Sequence, residues 1–488
     1  MRQSGLLLIG FLAGVVSQPA LLPAADIAAK IQTLLEKDKV PQQGFVGINI
    51  VDVASGATIF EYNSNKLFVP ASNTKLFTSA LGLLRLGPTY TYKTRVAGPK
   101  PDSAGVVRGN LYVVGGGDPN LSGRPIPYSV DEPDGDPLRV IELLADQCVA
   151  AGVKRVAGDV VGDDTAYEWD PFADGWAIDD PVWEYGAPVS AISLNDNTVS
   201  LSVYPGDPAR VYLKPSLPYF QIDNRVTAGT PERMWIDRPG NGRQVHLWGT
   251  ISPRSRGRGY SLAVDDPAFY AAVAFRDALM RRGVTVDGEA SVRHRLPGED
   301  LSPLPKGLAD LGIYWSAPLA ESLRVLDKVS QNLHTEMLLR EVGRVAGGEG
   351  TRAAGLKELG EFLKQIGISE DEVSVRDASG LSRMNLISPS AVVKLLRYMY
   401  GSKHRDLWIS LLPVSGEDGT LKNRMKKSPA EGRIRAKTGS LTHVAALGGY
   451  AMRPDGRVYA FSFFANNQAV AGWEVRTFLD TLSNYLVE

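Results

Sequence analysis

Ile27, Ile31, Leu34 and Leu35 return every three to four positions, which places them on one face of a helix spanning 26–37. The rhythm then tightens. Residues 45–51 and 58–62 are short β-prone runs on either side of Ser55-Gly56, and they predict two strands joined by a turn. Helical spacing resumes after Pro70 in Leu76, Phe77, Ala80, Leu83 and Leu84, and stops at Gly87-Pro88. The far end of the chain has matching elements. Residues 434–438, 445–452 and 458–464 predict strands, the last two joined by Pro454-Asp455-Gly456, and 473–486 predicts an amphipathic helix. Two ends that each mix helix and strand can share one antiparallel sheet covered by helices, an α/β (α+β) arrangement.

The middle has another texture. From Tyr90 to about Leu296 the chain is rich in Gly, Pro, Asp and Val, with strand-like runs at 109–114 and 156–161 and one clear helix at about 267–282. Residues 296–305 predict a linker or long loop, after which helical patterns run from 319 to 399. This layout predicts a mixed domain split in sequence by a β-rich insertion. There is no tandem repeat and no low-complexity tract.

With 488 residues the chain has room for two or three domains. Its 44% hydrophobic and 22% charged residues are those of a globular protein. A net charge of −1 without a basic stripe argues against nucleic acid as a partner. The single cysteine, Cys148, excludes an intrachain disulfide and argues against a cysteine metal site; its helical-looking surroundings predict a small buried apolar residue. Residues 1–25 read as a signal peptide, with Arg2 at the start, an apolar stretch at 5–16, and small residues Ala20, Ala24 and Ala25. The apolar stretch is short for a membrane span, although an uncleaved anchor is the alternative. The mature chain is expected to begin near Asp26, outside the cytoplasm, where peripheral association with membrane or cell wall is open to it.

Three short motifs carry chemistry. Ser72-Asn-Thr-Lys75 opens the second helix, where positions i and i+3 share a face, so the amine can reach the hydroxyl. A serine needs an adjacent base to act as a nucleophile, and lysine serves only when burial or another cation depresses its pKa. Lys437-Thr-Gly439, followed by Ser440, lies on a strand. Lys437 can supply that second cation, and the Thr438 and Ser440 hydroxyls can bind a carboxylate. Gly439, without a side chain, is expected to let substrate approach the strand. The backbone N–H groups of Ser72 and Ser440 could form an oxyanion hole. Ser330-Gln-Asn332 precedes a long amphipathic helix; Ser330 could relay a proton and Asn332 could hold Lys75 and the substrate amide. Ser193-Leu-Asn195 has the same pattern but sits in the Gly/Asp-rich middle. Each motif alone recurs by chance, whereas the three in this order and in suitable elements are specific. No Gly-x-Ser-x-Gly elbow and no His-Glu-x-x-His is present, and His246, His294, His334, His404 and His443 are scattered, which disfavours zinc hydrolysis. His334 and His443 flank two of the motifs and are expected to pack or bond locally.

With these motifs in place, the chain resembles the low-molecular-mass class C penicillin-binding proteins, the D-alanyl-D-alanine carboxypeptidase/endopeptidase family. Further strings share the likeness, among them Gly115-Gly-Gly-Asp-Pro-Asn-Leu121, Tyr185-Gly-Ala-Pro-Val-Ser-Ala-Ile-Ser-Leu-Asn-Asp-Asn197 and Asp377-Ala-Ser-Gly-Leu-Ser-Arg-Met-Asn385. The resemblance implies a serine β-lactamase-like transpeptidase fold with Ser72, Lys75, Ser330, Asn332, Lys437, Thr438 and Gly439 at the active site. It implies peptidoglycan stem peptides as substrates, acylation by β-lactams, and no cofactor or metal. By the same resemblance the catalytic domain is expected at 26–90 and 306–488, an inserted α/β domain at 91–165 and 263–305, and a nested β-rich domain at 166–262. Relatives hold the amino end of the stem peptide's diamino acid in a side pocket; Arg383 matches their string, and Asp163 or Asp164 lies in the matching stretch of the insertion. Ser440 stands where many relatives have Thr. A β-lactamase or esterase with the same constellation, or a non-catalytic wall-binding protein, are the competing readings.

Overall fold

The computed structural model describes residues 24–129, 132 and 134–488, so nearly all of the expected signal peptide lies outside the described residues. A helix at Ala24–Lys37 buries Ile27, Ile31 and Leu35, the face marked by their spacing.

The two ends of the chain do share one sheet. Its five strands run in the order Ile434–Leu441, Val444–Met452, Val458–Asn466, Phe45–Asp52 and Thr58–Tyr62, and every neighbouring pair is antiparallel. The three inner strands are buried at almost every position, because helices cover both faces. Side chains alternate across a strand. Phe461 and Phe463 therefore pack with Ile27, Ile31, Phe478 and Leu482 of the two terminal helices. Phe464 points the other way, into a core with Leu76, Phe77, Leu338, Leu339 and Leu396. The helices Thr74–Arg85, Asn332–Ala346 and Pro389–Tyr400 supply that second layer.

The insertion is built on a second five-stranded sheet, ordered Ala290–Arg295, Val160–Glu168, Leu111–Val114, Lys93–Gly98 and Ala309–Trp315. The helices Arg139–Ala150 and Pro267–Arg281 pack with it around Val113, Leu144, Phe275 and Cys148, which is fully buried. Two three-stranded sheets from residues 198–263 enclose a smaller core of Leu201, Val203, Val245, Leu247 and Leu262. The boundary expected at residue 306 needs correction. Ala309–Trp315 pairs antiparallel with Lys93–Gly98, so the insertion's sheet extends to Trp315 and the loop 296–305 lies within it. That strand is at the sheet edge and mostly part-exposed, which leaves little apolar alternation to read in the sequence.

Candidate active site

From Pro70 to Leu83 only Ser72 is not buried. It sits in a single 3₁₀ turn, Ala71–Asn73, ahead of the helix Thr74–Arg85. Ala71 has φ 47, a left-handed conformation that costs a non-glycine residue about 1–3 kcal/mol. Several bonds hold the turn in that shape. Thr74 Oγ1 donates to Ala71 O at 2.9 Å, and Asn73 Nδ2 donates to Lys437 O at 3.0 Å. The strand gives way to it. A Cβ on Gly439 would stand 2.7 Å from Pro70 O and 3.2 Å from Ala71 Cβ. The missing side chain of Gly439 thus makes room for the nucleophile turn.

Lys75 Nζ lies 2.8 Å from Ser72 Oγ, 2.6 Å from Asn332 Oδ1 and 2.7 Å from Ser379 O. The orientation of the Asn332 amide is set from its other end, where Nδ2 donates to Tyr185 O of the insertion at 2.8 Å. Two of the three partners of Lys75 are therefore acceptors only. In the neutral amine both N–H bonds are directed at them and the lone pair faces the Ser72 hydroxyl. Lys75 is fully buried, and burial holds its amine well below the ordinary lysine pKa; the Lys437 cation pushes the same way, against the carboxylates of Asp377, Glu336 and Asp327.

Ser330 joins the helices Leu319–Lys328 and Asn332–Ala346 at φ 66, and its Oγ accepts from Lys437 Nζ at 2.7 Å. Hydrogen bonds thus tie the three distant motifs together: Lys75 to Asn332, Ser330 to Lys437, and Asn73 to the Lys437 carbonyl. Lys437 is fully buried on the strand Ile434–Leu441, and burial pulls its amine down to about 8 against the pull of Asp327. Thr438 Oγ1 bonds Thr420 Oγ1 at 2.8 Å. The competing pattern at Ser193-Leu-Asn195 lies elsewhere: Ser193 is fully buried and Asn195 Nδ2 donates to Thr198 O. His334 Nε2 lies 2.9 Å from Asp196 Oδ1 of the insertion, and His443 Nδ1 lies 2.7 Å from Gln468 O.

A cavity of about 700 Å³ opens over Ser72, lined also by Asn332, Ser440, Arg383, Asp179, Asp180 and Tyr185. Arg383 Nη1 donates to Thr442 O at 3.1 Å. Asp163 and Asp164 are not in this cavity, which corrects the expectation for both. Each is almost fully buried on the strand Val160–Glu168. Asp163 accepts from Arg293 at 2.5 Å and from Thr165 Oγ1 at 2.7 Å, and Asp164 contacts His294 at 2.9 Å and Ser190 Oγ at 2.8 Å. The acidic groups that do line the cavity are Asp179 and Asp180, at the start of the short 3₁₀ turn Asp180–Val182, too brief for a periodic signal. The sequence reading also missed the buried acids that shape the site. Glu336 Oε1 accepts from the N–H groups of Ala378 and Ser379 at 2.9 Å each, which fixes the carbonyl that binds Lys75. Asp377 ties the same loop through Ser379 Oγ, Gly380 N and Ser382 N.

A helix-covered antiparallel sheet with a serine, a buried lysine and a Lys-Thr-Gly strand about one cavity defines the penicillin-binding class of serine acyl-transfer enzymes. The chain belongs to the D-Ala-D-Ala carboxypeptidase 3 (S13) family, whose model matches residues 27–486. It is similar to a D-alanyl-D-alanine carboxypeptidase from an Actinomadura species, at 33% identity over 93% of this chain and 84% of the relative. A D-alanyl-D-alanine carboxypeptidase from Haemophilus influenzae is 24% identical over 90% of this chain and 89% of its own. The fold is that of the crystal structure of penicillin binding protein 4 from Haemophilus influenzae, with TM-score 0.78 at 24% identity, covering 96% of this chain and 98% of that one.

Proposed function

We propose that the chain is an exported serine D,D-peptidase that cleaves peptidoglycan stem peptides through an acyl-enzyme on Ser72. The observation that carries this reading is the buried Lys75 amine, with two carbonyl oxygens on its N–H bonds and the Ser72 hydroxyl at 2.8 Å. Lys75 takes the Ser72 proton as Oγ attacks the carbonyl carbon next to the terminal D-alanine. The oxyanion lies between the backbone N–H groups of Ser72 and Ser440. Collapse breaks the C–N bond, and the departing amine receives its proton from Lys75 through the Ser330 hydroxyl. Lys437 holds Ser330 in place and, with Thr438 and Ser440, attracts the terminal carboxylate. Water, deprotonated by Lys75, then releases the acyl group. A β-lactam enters by the same route, but its leaving group stays tethered, so the ester on Ser72 persists.

Arg383, Asp179 and Asp180 line the same cavity, a guanidinium together with two carboxyl groups. This pairing suits a zwitterionic group, such as the free end of a diamino acid in the stem, and favours the peptidase over a β-lactamase. Residues 1–25 direct export, and catalytic, inserted and nested units are the working division of the chain. The test is incubation of the purified protein with a free pentapeptide stem and with a cross-linked peptide dimer. Release of D-alanine or cleavage of the dimer is expected. Neither product, together with rapid β-lactam turnover, would reassign the chain as a β-lactamase.

A further inference from the structure

The mechanism uses Ser330 and Asn332, but the side chain between them bonds the insertion instead of lining the cavity. Ser330 holds a left-handed backbone at φ 66, which a non-glycine residue keeps only where its surroundings impose it. Gln331 supplies several of those constraints. Its backbone N–H donates to Leu326 O at 3.1 Å, and its carbonyl accepts from Thr335 Oγ1 at 2.8 Å. Its Oε1 accepts from Leu333 N at 3.1 Å and caps the helix Asn332–Ala346. With Oε1 fixed on an N–H, the other end of the amide is a donor, and Nε2 reaches Asp196 Oδ2 at 3.1 Å.

The insertion presents Asp196 on a locked turn. Asn195, Asp196 and Asn197 are three successive left-handed residues with φ 51, 55 and 55, a conformation that Asn and Asp tolerate. The flanking amides hold it: Asn195 Nδ2 donates to Thr198 O at 3.0 Å, and Asn197 Nδ2 to Pro188 O at 2.9 Å. Arg124 grips the Asp196 carboxylate with both prongs, Nη2 at 2.7 Å from Oδ2 and Nη1 at 3.2 Å from Oδ1. His334, one helical turn beyond Gln331, stands 2.9 Å from Oδ1. The carboxylate is therefore fixed in place before it meets Gln331. A second hold comes from Tyr185 O, which accepts from Asn332 Nδ2 at 2.8 Å. Neither Asp196 nor Gln331 lines the cavity over Ser72, so an effect of either on the reaction passes through Ser330 and Asn332.

We propose that Asp196 is a positioning residue for acylation: through its hydrogen bond to Gln331, the insertion holds Ser330 against Lys437 and Asn332 against Lys75. Ser330 Oγ lies 2.7 Å from Lys437 Nζ, and Asn332 Oδ1 lies 2.6 Å from Lys75 Nζ. A loop released from Asp196 lengthens both contacts while the rest of the cavity keeps its shape. Binding of the antibiotic is then preserved, and the bond-forming step slows. The proposal rests on the reading of Ser330 and Asn332 as groups that act in the reaction.

The experiment follows acylation by benzylpenicillin over rising antibiotic concentration, which separates binding from the acylation rate constant, and counts the acylated fraction by mass spectrometry. Gln331→Glu keeps the size and the helix cap but sets a carboxylate against Asp196. Its acylation rate constant should fall about 10–100-fold. Its binding constant should stay within about threefold of wild type, and nearly all of the protein should still acylate. Adding Asp196→Asn exchanges donor and acceptor between the two positions, so the double variant should regain at least about fivefold. Gln331→Ser adds no charge, still caps the helix and ends short of Asp196; its rate constant should fall in the same direction. Unchanged rate constants in the single variants would overturn the proposal, as would a double variant no faster than Gln331→Glu. A smaller acylated fraction at an unchanged rate constant would mark a structural role only, and overturns it too. If the wild type is not acylated at Ser72, the reading of the nucleophile has failed; if it is and the variants keep its rate constant, only the role of Asp196 has failed.

Discussion

Replacing Lys75 by Met separates its chemistry from its packing. The side chain is fully buried and contacts Ser72, Asn332 and Ser379, and Met fills a similar volume without an amine. If Lys75 is the base, acylation loses the contribution of a positioned proton acceptor, about 10²–10⁴-fold. That corresponds to roughly 3–5 kcal/mol of barrier. Folding changes less. Asn332 Oδ1 and Ser379 O each lose a donor, at about 1–3 kcal/mol apiece. Against this, a polar amine that resists burial is replaced by apolar volume, which offsets losses of that size. A melting temperature within a few degrees of wild type is expected, with acylation by benzylpenicillin slowed at least about a hundredfold in quenched-flow mass spectrometry. A folded Lys75→Met protein that acylates within about tenfold of wild type would refute Lys75 as the base.

Arg383→Ala should lower kcat/KM on stem peptides with a zwitterionic end by about 10–100-fold, the worth of one charged hydrogen bond, while acylation by a small β-lactam changes little; equal losses on both substrates would detach Arg383 from peptide recognition. Gly439→Ala places a methyl 2.7 Å from Pro70 O, so a loss of about 1–3 kcal/mol in denaturant unfolding and slower acylation are expected. His294 is held between Asp164 at 2.9 Å and Asp266 at 3.3 Å. The two carboxylates overcome burial and raise its pKa to about 10. A raised folded pKa contributes stability fully below the unfolded value of about 6.5, and that contribution is lost as pH rises through about 10. The melting temperature of the wild type should therefore fall more steeply over that interval than that of His294→Gln, and parallel curves would contradict the ion pair.

The strands Val444–Met452 and Val458–Asn466 were legible because each is a compact apolar run, and the Ser72–Lys75 pair because three residues make nearly one helical turn. What escaped was set by contacts between distant segments. Asp163 and Asp164 looked available in a Gly/Asp-rich stretch, yet a buried strand and the partners Arg293 and His294 consume both. Asp179 and Asp180 reach the cavity from the start of a three-residue 3₁₀ turn, too short to leave a periodicity to read. Gly439 stood in the expected motif, but the group it spares is the backbone of Pro70, more than 360 positions away in sequence.

The most direct measurement is peptide mapping by mass spectrometry after exposure to benzylpenicillin. A single adduct of the intact antibiotic on the peptide containing Ser72, absent from Ser72→Ala, is the expected result. An adduct on another residue, or none on a folded protein, would contradict Ser72 as the nucleophile.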